Sequence, residues 1–237
     1  MPKTVFVFCG GARTFLQCFD ICYEKVISRL CPDPSDVTLL FYMKLTDPGP
    51  KQQEFWNYEY ADVNYNETVA KINEYRGRGI RIFDTILFHS EINDIDLMLS
   101  VKDRSLYDGF NSSDVHFIRA LHQAYNFEQC GKRILEIEKA QGYQFDFAVY
   151  VRPDLIFFTE APPLSEIILD KVVMCTGVNA YIYDHFAIVP RVYLEHFFLE
   201  KMETYRTNTT KTYETPEMLY IEVNHRVETI AHYNIQR

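Results

Sequence analysis

Val5 to Phe8 is a short, wholly apolar run of β-branched and aromatic residues, closed almost at once by Gly10-Gly11. A run with no polar alternation reads as a strand buried on both faces. From Arg13 onward Phe15, Leu16, Phe19, Cys22, Val26, Ile27 and Leu30 recur at helical spacing, until Cys31-Pro32-Asp33-Pro34 stops the helix. Val37 to Tyr42 then predicts a second strand. A strand, a glycine turn, a helix and a strand in succession commit the chain to a parallel sheet with helices on its faces.

The remainder extends that pattern. Residues 46 to 79 are polar and broken, with a short helix over Val69 to Tyr75, and Ile80 to Phe88 predicts a third strand. Residues 90 to 114 read as an acidic, irregular loop. A long helix is expected from Asp114 to about Ala140, ended by Gly142. Phe145 to Val151 is a strongly β-forming strand that runs into Arg152-Pro153-Asp154. Short strands at Val172 to Cys175 and Phe186 to Val189, helices over 190 to 203 and 215 to 224, and a last strand near 227 to 231 complete the reading. No repeat, low-complexity segment or linker interrupts the 237 residues, so 1–237 is expected to be a single α/β domain.

Composition excludes several classes. A net charge of −9 argues against a partner that is a nucleic-acid polymer, and 17 Tyr with 18 Phe are too many for a disordered chain. No stretch has the apolar length of a membrane span, and the N-terminal run is too short for a signal-peptide core. The six cysteines show neither a CxxC pair nor zinc-finger spacing, which suits reduced, buried thiols in a cytoplasmic protein.

Two strand ends carry candidate chemistry. In open α/β sheets ligands bind beyond the carboxyl ends of the strands. At the first such end, Gly10-Gly11-Ala12-Arg13 is either a bare strand-to-helix turn or a cradle for a diphosphate, with Arg13 as its fixed positive charge. It is not GxGxxG, and no P-loop motif occurs. At the second, a buried strand delivers Arg152 and Asp154 together, which is costly unless the two pair or bind something. Asp154 is therefore either half of a structural ion pair or an oxygen ligand for Mg²⁺ or Mn²⁺.

Taken in order, the strand and GG-x-R-T turn, the long helix and the apolar strand ending in R-P-D resemble the nucleotide-sugar glycosyltransferases of the GT-A fold. They are similar in particular to divergent members from algae, bacteria and large algal DNA viruses. Tyr183-Asp184-His185-Phe186-Ala187-Ile188 resembles a later N-D-x-F-A-I/L segment of that set, and Pro216-Glu217 fits its late helix. The resemblance implies a single GT-A-like, Rossmann-related domain with a mostly parallel central sheet flanked by helices.

It also implies roles. Gly10, Gly11, Ala12 and Arg13 would hold the nucleotide or its diphosphate, and Asp154 would stand for the last Asp of the metal-binding D-x-D and carry Mn²⁺ or Mg²⁺. Arg152 occupies the place of the first Asp, so either a metal or Arg152 itself could neutralise the leaving diphosphate. Arg119 and Gln123, with His122 and Asn126, would lie beside the donor sugar, or else form a solvated polar stripe on the long helix. Asp184 is the carboxylate expected nearest the reacting centre, as general base or sugar ligand, although Asp184-His185 could equally be a turn. Trp56 and Tyr58 are candidates for stacking an acceptor sugar.

The activity implied is transfer of a hexosyl or pentosyl group from a nucleoside-diphosphate sugar, UDP favoured, to a hydroxyl of a glycan acceptor. The alternative is a nucleotide- or carbohydrate-binding module that kept the fold and lost turnover. A methyltransferase is disfavoured, because the acidic-ended glycine loop of such enzymes is missing.

Overall fold

The computed structural model describes residues 2–45, 64–88, 92–107, 114–167, 170–176, 182–207, 227–230 and 235–236. Trp56, Tyr58, Pro216-Glu217 and the helix expected over 215 to 224 lie outside the described residues.

Strand β1 (Thr4–Gly11) leads through the glycine turn into helix α1 (Phe15–Cys22), which continues as a π-helical turn (Tyr23–Ile27) into α2 (Ser28–Leu30). Strand β2 (Val37–Lys44), helix α3 (Tyr65–Gly77) and strand β3 (Arg81–Phe88) follow. The segment expected to be an irregular acidic loop instead contains helix α4 (Asp94–Leu99). Asn93 caps it by accepting from the Ile95 N–H, and Leu97 is buried beneath it, a local signal that the acidic composition masked. The long helix α5 (Asp114–Gln141) then crosses to strand β4 (Phe147–Val151). A two-residue strand β5 (Ile156–Phe157) leaves the main sheet to pair with β9 (Ile235–Gln236). Strands β6 (Val172–Thr176) and β7 (Ile182–Pro190), helices α6 (Leu194–Phe198) and α7 (Glu200–Thr207), and strand β8 (Val227–Ile230) complete the described chain.

The main sheet has seven strands in the order β3-β2-β1-β4-β7-β6-β8, and every one of them except β7 runs in one direction. The β3-β2-β1-β4 half is the doubly wound order of Rossmann-type sheets. With the single reversed strand β7 beyond it, the sheet is the mostly parallel, helix-flanked α/β sheet expected of the chain. The alternate residues of β1 explain its lack of polar alternation. Phe6 and Phe8 pack with Phe15, Phe19 and Phe41 on the α1 side, whereas Val5, Val7 and Cys9 pack with Phe127, Cys130 and Ile134 of α5 on the other. The strand is buried on both faces because helices cover both.

Gly131 lets α5 and α6 approach closely, since a Cβ there would stand 2.6 Å from Leu199 Cδ2 and 2.7 Å from Phe198 Cβ. At its C-terminal end α5 is tied down by Glu138, which accepts from the Phe145 backbone N–H at 2.9 Å and from Arg191 at 3.1 Å. Because α5 ends where β4 begins, it runs against the strands, and its N-terminal half extends past their carboxyl ends.

Candidate active site

Strands β1 and β4 are parallel neighbours, with Phe8 opposite Val151. The residues that follow each strand, Gly10 to Arg13 and Arg152 to Asp154, therefore meet at the carboxyl edge of the sheet. Gly10 has φ +128°, a conformation a side chain would resist, and the position of its missing Cβ is 3.7 Å from Pro153 Cδ. Ala12 closes the turn onto β2 by donating its N–H to the Lys44 carbonyl at 2.8 Å. Arg13 itself has a positive φ of 24°, a strained backbone for a residue other than glycine.

That backbone delivers the Arg13 side chain to Asp154, with Nη1 to Oδ2 at 3.0 Å. Arg152 bonds the same carboxylate, its Nε 3.1 Å from Oδ1 and its Nη2 3.0 Å from Oδ2. Both carboxylate oxygens of Asp154 thus accept from guanidinium groups. Asp154 is only 8% exposed, while the Arg13 and Arg152 side chains retain 36% and 19% of their surface. Burial alone would push the carboxyl up, but the charge and hydrogen bonds of Arg152, the charge of Arg13 and that of nearby His185 hold it below the usual carboxylate range.

Strand β7 adds its first residues to the same edge. Phe186 pairs with Val151, and the Arg152 N–H donates to the His185 carbonyl at 2.9 Å. Asp184 and His185 are therefore strand residues, not a turn. His185 is buried. The Asp184 side chain lies outside the described residues.

Helix α5 supplies a wall. Its apolar face, Phe127, Cys130, Ile134 and Ile137, lies on the sheet, and the Phe127 ring stands edge-on to Tyr150 of β4 at 4.6 Å. At about 100° per residue, Arg119, Gln123 and Asn126 project within about 40° of Cys130, and so continue that face beyond the sheet edge. Their exposure follows the geometry: Asn126 is buried, Gln123 half-buried and Arg119 exposed. The Asn126 Oδ1 has no hydrogen-bond partner among the described residues, although the side chain is 6% exposed. Sequence periodicity placed these residues together, but nothing in the sequence singled out Asn126 over its neighbours. His122 turns away and bonds Asp94 of α4 through Nε2 at 2.7 Å.

The expected divalent metal does not fit the described residues. Hard cations gather several oxygen ligands, whereas Asp154 is a single carboxylate already paired with two guanidinium groups. Among the described residues no group of three or more His, Cys, Asp or Glu could hold a metal ion. The nearby Cys18 is buried, and burial pushes its thiol up, so it is no candidate nucleophile.

No protein-family model and no curated protein matches the chain. Among solved structures, the chain is similar to the galactosyltransferase LgtC in complex with donor and acceptor sugar analogues, at TM-score 0.49 and 11% identity over 95% of this chain and 72% of that one. It is similar to a transferase at TM-score 0.45 and 12% identity, over 100% and 94% of the two chains. A glycosyltransferase involved in glycosylation of the major capsid of PBCV-1 gives TM-score 0.40 and 10% identity, over 97% and 83%. Likeness at this level reaches no further than the path of the chain. Among the described residues no helix is long and apolar enough to cross a membrane.

Proposed function

We propose that residues 1–237 act as a single glycosyltransferase domain, which moves a hexosyl or pentosyl group from a nucleoside-diphosphate sugar to a hydroxyl of a glycan acceptor. One observation carries this reading. Two guanidinium groups and a glycine turn converge at the carboxyl ends of adjacent parallel strands, where α/β sheets bind their ligands. Guanidinium groups at that edge suit an anionic small molecule, and a diphosphate matches them in geometry.

In this reading the turn Gly10-Gly11-Ala12 lets the backbone approach the diphosphate, and Arg13 and Arg152 stabilise the charge that develops on it as the bond from the anomeric carbon to the phosphate oxygen breaks. The acceptor oxygen forms the new bond to the anomeric carbon. Its proton passes to Asp184, on β7, when that residue acts as general base. Arg119, Gln123 and Asn126 face the donor sugar, and the buried, unpartnered Oδ1 of Asn126 supports a ligand hydroxyl at that wall. Positioning and electrostatics account for such a reaction without a covalent nucleophile.

A calorimetric panel of UDP-, GDP-, CMP- and dTDP-sugars tests the reading, with transfer to oligosaccharide acceptors followed by mass spectrometry. Base-selective binding with transfer or donor hydrolysis is expected, and UDP is the favoured base. Binding without any turnover would instead identify a nucleotide- or carbohydrate-binding module. No binding by any donor would refute the proposal.

A further inference from the structure

A buried amide without a partner stands on the wall of the site. The Asn126 side chain is 6% exposed, and its Oδ1 is covered yet accepts no hydrogen bond among the described residues. Buried polar groups in a folded chain are nearly always paired, because an unmade hydrogen bond costs free energy that nothing in the fold returns. Elsewhere on the sheet-facing side of α5 the chain avoids that cost with apolar residues, Phe127, Cys130, Ile134 and Ile137. The exception at Asn126 therefore calls for a partner from outside the fold.

Its place in the fold narrows what that partner is. Cys130 of α5 is level with Cys9 of β1, since the two thiols pack in one cluster and hydrogen-bond to each other. Asn126 lies one helical turn before Cys130, about 6 Å along the axis, and α5 runs against the strands. A strand covers that distance in about two residues, so Asn126 is level with the end of β1, at about Gly11. The atoms nearest to a Cβ placed on Gly11 belong to Arg13, so the amide lies at the level of the turn whose arginine is assigned to the diphosphate. Along the helix face from Asn126, Gln123 is half-buried and Arg119 exposed, so the face opens to solvent in steps.

Hydrogen-bond chemistry narrows it further. An amide oxygen only accepts, so it needs a donor. The oxygens of an ionised diphosphate are acceptors as well and supply none, whereas a hydroxyl does. We propose that Asn126 is a specificity-determining residue: its Oδ1 accepts from one hydroxyl of the sugar donor, and the site thereby selects that donor over the same molecule without the hydroxyl. This rests on the glycosyltransferase reading and deepens it, by giving one side chain the demand for a hydroxylated ligand. The transferred sugar and the ribose of the nucleotide are the two sources of such a group. A donor that lacks it leaves the amide buried and unpaired in the complex, and a polar site rejects such an analogue more sharply than an apolar pocket does.

Isothermal titration of the full chain tests this with UDP-glucose, UDP-galactose and GDP-mannose, each beside its monodeoxy sugar analogues, and with UDP and GDP beside their 2′-deoxyribose forms. The wild type is expected to bind one hydroxylated probe about tenfold to a hundredfold more tightly than its deoxy counterpart. Asn126→Leu should bring that ratio to within about threefold of unity by weakening the hydroxylated probe alone. Asn126→Ala, which removes the amide without adding bulk, should do the same, and thermal denaturation checks that both variants are folded. A ratio lost at a sugar position assigns the hydroxyl to the transferred sugar, and one lost at the 2′ position assigns it to the ribose; either supports the proposal. A ratio that survives in both variants, or a wild type indifferent to every hydroxyl, would overturn it and leave the glycosyltransferase reading intact. Unfolding of both variants would make the amide part of the scaffold and overturn it too. Absence of binding by every probe would overturn both.

Discussion

Two adjacent glycines at the β1 turn should fail in opposite ways when each is given a methyl group. Gly10 has φ +128°, and a Cβ added there would lie 3.7 Å from Pro153 Cδ, an ordinary van der Waals contact. The penalty of Gly10→Ala is therefore conformational and not steric. Holding an L-residue in such a region costs about 1–3 kcal/mol, and the smaller entropy of the unfolded alanine chain offsets about 0.4–1 kcal/mol of that. The net loss is about 1–2 kcal/mol, which for a chain of this size corresponds to a Tm lowered by about 2–8 °C. Gly11 is not in the left-handed region, but its added Cβ would stand 3.2 Å from Arg13 Nε and 3.5 Å from Arg13 Cγ. These are side-chain atoms that can swing away, so Gly11→Ala should cost stability less than about 0.5 kcal/mol. The displaced guanidinium would, however, lose its 3.0 Å contact with Asp154. Differential scanning calorimetry of both variants, paired with diphosphate titration, reads the contrast. Gly10→Ala should lose Tm, and Gly11→Ala should keep Tm and lose affinity. A wild-type Tm for Gly10→Ala, or an equal Tm loss in both, would refute the reasoning.

Three further outcomes follow from the packing and the charges. Gly131→Ala gains about 1 kcal/mol of helix propensity but forces a methyl to 2.7 Å from Phe198 Cβ, an atom fixed to the α6 backbone; with overpacking costing about 1–3 kcal/mol, urea denaturation should show a net loss. Asn126→Leu removes a buried acceptor that has no partner among the described residues, so Tm should hold or rise while donor-sugar affinity falls about tenfold; a fall in Tm would assign the amide to the scaffold instead. Acid should destabilise the fold through Asp154 and Glu128. Both are buried, which alone would raise them, but Arg152 and Arg13 on Asp154, and Arg206 and Lys132 on Glu128, hold the folded values below the ordinary 3.8 and 4.5. A depressed folded pKa gives stability that is present above the unfolded value and lost as pH falls through the folded one, so urea midpoints should be level from neutrality to about pH 5 and drop below it.

What the sequence determined by itself is what local physics can specify. An apolar run without alternation demands cover on both faces, and β1 has it from α1 and α5. The glycines mark the turn, Gly142 ends the long helix, and the strand ending at Val151 delivers Arg152 and Asp154 to an edge where ligands bind. The helical period likewise put Arg119, Gln123 and Asn126 on neighbouring positions. Only the tertiary structure decided what these residues meet. Arg13 and Asp154 are 141 positions apart, and no periodicity in either segment encodes the other, so a metal ligand and a structural ion pair with Arg152 stayed equally open. The pairing became visible once β1 and β4 lay side by side. The same holds for β7: Asp184-His185 could read as a turn, and the strand that spans Ile182–Pro190, paired antiparallel with β4, made it part of a strand. Short-range order follows from side-chain size and spacing, whereas the charge balance at Asp154 depends on which distant groups the packing brings within 3 Å of it.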